Sequence, residues 1–141
     1  MAEPNALDKA AIVREFLGGL MQGEFRSDLA ADDIVWHMGG TSQVGGEYHG
    51  HEGIRRLFAR MGEVTGSPTA SKAGVEHAVE LHDLLTSDDH VVVLWRRTGR
   101  REGVTLDSPG VGIYHVRDGR IAEVWVVHWD QPAADAFFGH R

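Results

Sequence analysis

The sequence predicts an α+β fold in a single domain spanning residues 1–141. Three observations carry that prediction. Apolar residues recur at helical spacing through the N-terminal half. Strand-like alternation replaces that spacing after the Gly66-Ser67-Pro68 break. Asp118-Gly119 then supplies the residue pair favoured in two-residue hairpin turns. Helices first and a long antiparallel meander afterwards is the α+β pattern.

The elements follow in order. Asn5 reads as an N-cap with Asp8 three residues on, and Leu7, Ala10, Val13, Leu17 and Leu20 form a helical stripe ending near Met21. A second, short helix is expected over Glu24–Ala31. Asp33–Met38 reads as a strand, followed by the glycine-rich ribbon GGTSQVGGEYHG. A third helix begins near His51, with Ile54, Leu57, Phe58 and Met61 on one face and Arg55, Arg56 and Arg60 on the other. Val75–Leu85 alternates with Val75, His77, Val79 and Leu81 on one side. Thr86–Asp89 is a turn, and His90–Arg101 is a strand closed by a hairpin turn at Glu102-Gly103. Val104–Arg117 returns, with a bulge expected near Pro109 and Gly110 because proline cannot donate to a ladder.

Composition narrows the function. The net charge is −7, which argues against nucleic acid as a partner, since phosphate contact needs clustered Lys and Arg. Arg96, Arg97, Arg100 and Arg101 do cluster, but they read as a solvated hairpin tip. The absence of cysteine excludes disulfides, thiolate metal sites and cysteine nucleophiles. No stretch has the length of a membrane span, and MAEPNALDKA lacks the pattern of a signal peptide. A cytoplasmic protein with no membrane partner is expected. Nine histidines raise the question of a metal. However, His77 and His82 fall on opposite strand faces, and His49-x-His51 has no third ligand fixed by spacing, so neither metal nor cofactor is expected.

A two-residue turn at Asp118-Gly119 places Tyr114 opposite Glu123 and Gly112 opposite Trp125. One hairpin face then carries Tyr114, Val116, Ile121, Glu123, Trp125, Val127 and Trp129. The other carries Ile113, His115, Val124, Val126 and His128. Both faces are largely apolar, so both require cover. Helices can cover one, and a second copy of the chain the other.

The stretches DDIVWHMGGTSQVGGEYHGHEGI, LHDLLTSDDHVVVLWRRTGRREG and YHVRDGRIAEVWVVHWDQPAADAFF resemble the SnoaL-like branch of the nuclear-transport-factor-2-like superfamily, which also holds ketosteroid isomerase-like proteins. The resemblance spans nearly the whole chain. It implies a cone-shaped curved sheet of mainly antiparallel strands wrapped around three N-terminal helices. It also implies an apolar pocket in the cone, and homodimerisation through the convex sheet face (Ile113, His115, Val124, Val126 and His128). By the same resemblance the Trp125 face points into the cone. Relatives that use a last-strand acid carry it two or four residues after the tryptophan, where this chain has Val127 and Trp129. The epoxide hydrolase branch pairs an arginine with an aspartate two residues on, where this chain has Thr98 or Gly99.

The remaining candidates each have two readings. Asp130 is a general base turned inward by a bulge, or the cap of a C-terminal helix. His37, which follows Trp36 as in many SnoaL-like chains, is an acid/base imidazole or a hydrogen-bonded tether of the glycine loop. Tyr114 and Tyr48 are oxyanion donors or amphipathic wall residues. Trp36, Trp95, Trp125 and Trp129, with Val127, line a site for a flat ligand or belong to the core. Glu123 reads as a rim salt bridge to an arginine. The functional expectation is a cofactor-independent acid/base enzyme, of isomerase, cyclase or dehydratase type, acting on a small hydrophobic cyclic or aromatic molecule. Its catalytic residues would be His37, Asp130 and Tyr114. The rival is a non-catalytic ligand-binding or dimerisation module.

Overall fold

The computed structural model describes residues 6–67 and 70–140, and the Asn5 cap lies outside them. Helix α1 (Ala6–Met21) leads into a single 3-10 turn (Ser27–Leu29) and strand β1 (Ala30–Met38). Strand β2 (Gly46–His49), helix α2 (Gly50–Thr65) and the short ribbon of β3 (Gly66–Ser67) and β4 (Ala70–Ser71) follow. The meander is β5 (Glu76–Thr86), β6 (His90–Arg101), β7 (Val104–Arg117) and β8 (Arg120–His128), and helix α3 (Gln131–Phe138) ends it. The curved sheet has six strands in the order β2-β1-β8-β7-β6-β5. All its pairs are antiparallel except β1 with β8. No helix of the described chain is long and apolar enough to cross a membrane.

The helices exist to cover the concave side of this sheet. Val13 and Phe16 of α1 and Ile54 and Leu57 of α2 are fully buried, one face of each helix as the 3.6-residue spacing requires. Helix α3 is short, so local chemistry holds it. Asp130 accepts a hydrogen bond from the Ala133 amide at 3.2 Å, Pro132 sits in the first turn, and Phe137 and Phe138 are buried.

The architecture is the expected α+β cone, with differences in detail. The short helix expected over Glu24–Ala31 is only the turn Ser27–Leu29. Ala30 already pairs with Ile121, so the parallel ladder with β8 claims the residues a helix would have needed. The third α-helix against the sheet is the C-terminal one. No bulge occurs at Pro109-Gly110, because Arg96↔Pro109 and Trp95↔Gly110 stay in register. The Pro109 carbonyl accepts from the Trp129 amide at 2.8 Å. Its missing N–H therefore faces the side where β8 has just ended, and the ladder loses nothing.

The bulge lies further along. Asp118 and Gly119 have positive φ, as a tight turn of this type requires, and Arg117↔Arg120 and Val116↔Ile121 pair as expected. The next pair is His115↔Glu123, which leaves Ala122 without a partner on β7. Beyond it Tyr114 faces Val124 and Ile113 faces Trp125. A one-residue slip reverses every later side chain. Val124, Val126 and His128 are buried on the concave side, and Glu123, Trp125 and Val127 turn to the convex side. The expectation that the Trp125 face enters the cone is overturned, as is the placing of Val124, Val126 and His128 on the convex face.

Candidate functional site

The cone encloses a cavity of about 400 Å³. Its walls come from the sheet and two helices. Strand β1 contributes Trp36 and Met38, and α2 contributes Phe58 and Met61. The other strands contribute His77, Trp95, Arg97, Tyr114 and Val126, while the end of α1 and the segment after it (Leu17, Leu20, Phe25) close the rest. Each sheet residue is inward by alternation. On β6 the buried positions are Val91, Val93, Trp95 and Arg97.

Two glycines make room for the rings. A Cβ at Gly110 would lie 2.1 Å from the Trp95 indole, and one at Gly112 would lie 2.9 Å from the Tyr114 ring. Both aromatic side chains therefore lie flat along β7, which is possible only without side chains there. Trp36 meets Phe58 edge to face at 5.4 Å and Tyr114 at 6.1 Å. The result is a mainly apolar, aromatic wall suited to a flat hydrophobic molecule.

Polar groups converge at the buried end. The Arg97 guanidinium is enclosed, with its Nη1 donating to His77 Nε2 at 2.5 Å and its Nε donating to His128 Nε2 at 3.1 Å. It also lies over the rings of Trp95 and Phe138, 5.3 Å from each. Burial pushes Arg97 down to about 10, so it remains a cation at neutral pH. Burial, reinforced by the Arg97 charge, pushes His77 down to about 4 and His128 down to about 3. Both imidazoles are thus neutral acceptors at Nε2 with a proton on Nδ1. Among the described residues neither Nδ1 has a partner, nor does Trp36 Nε1, and all three atoms are buried. Burial raises the Tyr114 phenol well above its ordinary value, so it is a hydrogen-bond donor at any physiological pH.

Of the residues expected at a site, Trp36, Trp95 and Tyr114 line the cavity. The others do not. Tyr48 is buried behind it, its hydroxyl donating to the Val44 carbonyl at 2.8 Å. Asp130 is the cap of α3, the role its sequence context also allowed. Val127 and Trp129 are exposed on the outside, Trp129 to 88%.

His37 is on the convex face, stacked on Trp125 at 5.6 Å with a 9° angle between rings. Its Nε2 is 2.6 Å from Glu123 Oε2, and its Nδ1 is 3.4 Å from Glu47. The partner of Glu123 is therefore this histidine and not an arginine. The reason is the inversion at Ala122, which brings Glu123 and Trp125 to the face where alternation along β1 places His37.

Three site residues escaped the sequence reading: His77, Arg97 and His128. Arg97 was grouped with its exposed neighbours as a hairpin tip. Its alternation with Val91, Val93 and Trp95 is the signal that marks it as inward. His128 had no such signal, because its face depends on the bulge.

The buried imidazoles fix a pH dependence. Unfolded histidines take up protons near pH 6.5, whereas His77 and His128 do so in the fold only near about 4 and about 3. Between these values the unfolded chain binds more protons, so stability falls as pH drops from 6.5 and this contribution levels off below about 3. Urea midpoints measured between pH 7 and 5, above the range of ordinary carboxylates, should therefore decline. The decline should be clearly shallower in His77→Gln/His128→Gln, where the amide oxygens still accept from Arg97. Equal slopes in the two proteins would contradict the neutral assignment.

Comparison with known proteins gives this cavity a context. No curated protein matches the sequence. Among solved structures, Bal32a from a soil-derived mobile gene cassette superposes with a TM-score of 0.81 at 27% identity, covering 94% of this chain and 98% of its own. TerC, crystallised with polyporic acid, superposes at 0.74 with 18% identity over 93% of this chain and 98% of its own. A candidate SnoaL-like polyketide cyclase from Jannaschia superposes at 0.71 with 18% identity over 100% of this chain and 98% of its own. At that identity the last two speak for the fold alone. The sequence model of the SnoaL-like domain matches residues 13–124, and the chain belongs to that family.

Proposed function

We propose that the chain is a cofactor-independent enzyme of the isomerase, cyclase or dehydratase type, acting on a small, flat, hydrophobic cyclic molecule held in the cone. The observation that carries this reading is the presence of two hydrogen-bond-donating side chains, Arg97 and Tyr114, on the wall of a mainly apolar cavity. The Arg97 guanidinium and the Tyr114 phenol both belong to side chains on its wall. A ring carbonyl directed at these groups becomes more electron-poor, and as solvent water takes the proton from the neighbouring carbon, the negative charge developing on the oxygen is stabilised by donors already in place. The polyketide cyclase-like and polyporic-acid-bound structures of the same fold accord with a cyclic oxygenated substrate.

One observation favours the second reading, a binding module without catalysis. Among the described residues the only carboxylate on the cavity wall is Glu24, which is exposed. No buried general base therefore faces the ligand. Solvent deuterium exchange separates the readings. The enzyme should accelerate exchange at the carbon next to the carbonyl of 2-tetralone, followed by NMR in D2O. Tyr114→Phe should lower that acceleration by about tenfold or more, as expected for loss of one oxyanion donor. Binding of the ketone without any acceleration would establish the module instead.

We also propose that the chain is a homodimer through the convex sheet face, with the corrected register deciding its members. Ile113, Trp125 and Val127 stand on that face, and Val127 is 46% exposed. Trp125→Asp should remain folded and sediment as a monomer at micromolar concentration where the parent sediments as a dimer. A monomeric parent would refute the interface, and an unfolded variant would refute the outward placing of Trp125.

A further inference from the structure

We propose that the closed end of the cavity is an anion subsite, in which Arg97 Nη2 receives an ionised oxygen, carboxylate or enolate, carried by the hydrophobic ligand. The proposal deepens the pocket reading above and rests on it.

The arginines of this chain fall into two kinds of environment. Half-buried Arg26 and exposed Arg96 and Arg117 each hold a carboxylate, at 2.8, 2.7 and 3.0 Å, where water would have served. The buried Arg97 holds none. Its two fixed contacts are to imidazole nitrogens, which accept hydrogen bonds but bring no negative charge. Its other neighbours are the faces of Trp95 and Phe138. Asp135 is the acid whose field reaches His128, but its oxygens already accept from the Thr41 amide and hydroxyl and from the Gln131 amide group.

A guanidinium enclosed without a counterion is expensive to keep. A chain whose need was merely structural would be served by an apolar residue at this inward position, as at Val91 and Val93 on the same strand. What His77 and His128 accomplish is different. They fix the direction of the guanidinium through Nε and Nη1 while leaving its charge uncancelled. Among the described residues Nη2 has no hydrogen-bond partner, and Arg97 lies on the cavity wall. An anionic oxygen there forms a charge-assisted hydrogen bond and supplies the missing counter-charge. A neutral ligand of the same shape does neither. His77 and His128 are thus positioning residues, and Arg97 sets specificity.

Isothermal titration of the wild-type protein with two matched pairs tests this. The first pair is 2-naphthoate and neutral 2-naphthamide. The second is 2-hydroxy-1,4-naphthoquinone, an ionised enol at neutral pH, and its neutral 2-methoxy ether. In at least one pair the anion should bind about tenfold or more tightly than its neutral counterpart, the preference expected of a charged hydrogen bond. The pair showing it identifies the carboxylate or the enolate as the group read. Arg97→Met, which keeps the bulk and removes the charge, should reduce the preference to within about threefold.

Equal affinities within both pairs would overturn the anion subsite and leave the pocket reading standing. An undiminished preference in Arg97→Met would overturn the assignment to Arg97. Binding of none of the four compounds would refute the pocket reading itself, and the subsite with it. Should the variant fail to fold, the wild-type comparison decides alone.

Discussion

Between the pairs Val116↔Ile121 and His115↔Glu123, the last hairpin accommodates one residue, Ala122, that has no partner on β7. Every side chain beyond it on β8 is turned to the face opposite the one a straight ladder would give it. Both Ile121 and Ala122 are buried, so the extra residue is absorbed on the core side and the inversion is locked by packing. The contents of the cone follow from this. Val126 joins the cavity wall, and His128 arrives at Arg97. Without the inversion Arg97 would lose one of the two acceptors that aim it.

The same inversion builds the outer face. Trp125 emerges beside His37, and Glu123 comes within hydrogen-bond distance of the same imidazole. The sheet therefore carries two histidine clusters with opposite electrostatics. Inside, two neutral imidazoles serve a buried cation. Outside, His37 and His49 sit among the carboxylates of Glu47 and Glu123 with access to water. Only the inner cluster shares a cavity with aromatic walls, which is why the chemistry proposed for this family member is assigned there.

Much of the fold was legible in the sequence, for identifiable reasons. The stripe on α2, the turns at Glu102-Gly103 and Asp118-Gly119 and the alternation of β6 are local patterns, and each survives in the structure. Trp36, Trp95 and Tyr114 were legible as cavity residues because each is an aromatic on a strand whose alternation is unbroken there. The face of β8 was not legible. Hydrophobic alternation specifies register only when one face is polar, and here the run from Val124 to Val127 is apolar on both faces. His37 and Asp130 were attractive as chemical types. Their actual partners, Glu123 and the first turn of α3, are a cross-strand contact and a helix cap. Only the former depends on the bulge.

The central claim is that the closed end of the cone presents an aimed and uncancelled positive charge to a flat ligand. A crystal structure of the protein with 2-naphthoate tests it most directly. The ring system should lie in the cavity against the wall formed by Trp36, Phe58 and Tyr114, with a carboxylate oxygen about 3 Å from Arg97 Nη2. His128 should lie inside the cone and Trp125 outside. A naphthoate whose carboxylate points to the open rim near Arg55, or a β8 with Trp125 in the cavity, would contradict that claim.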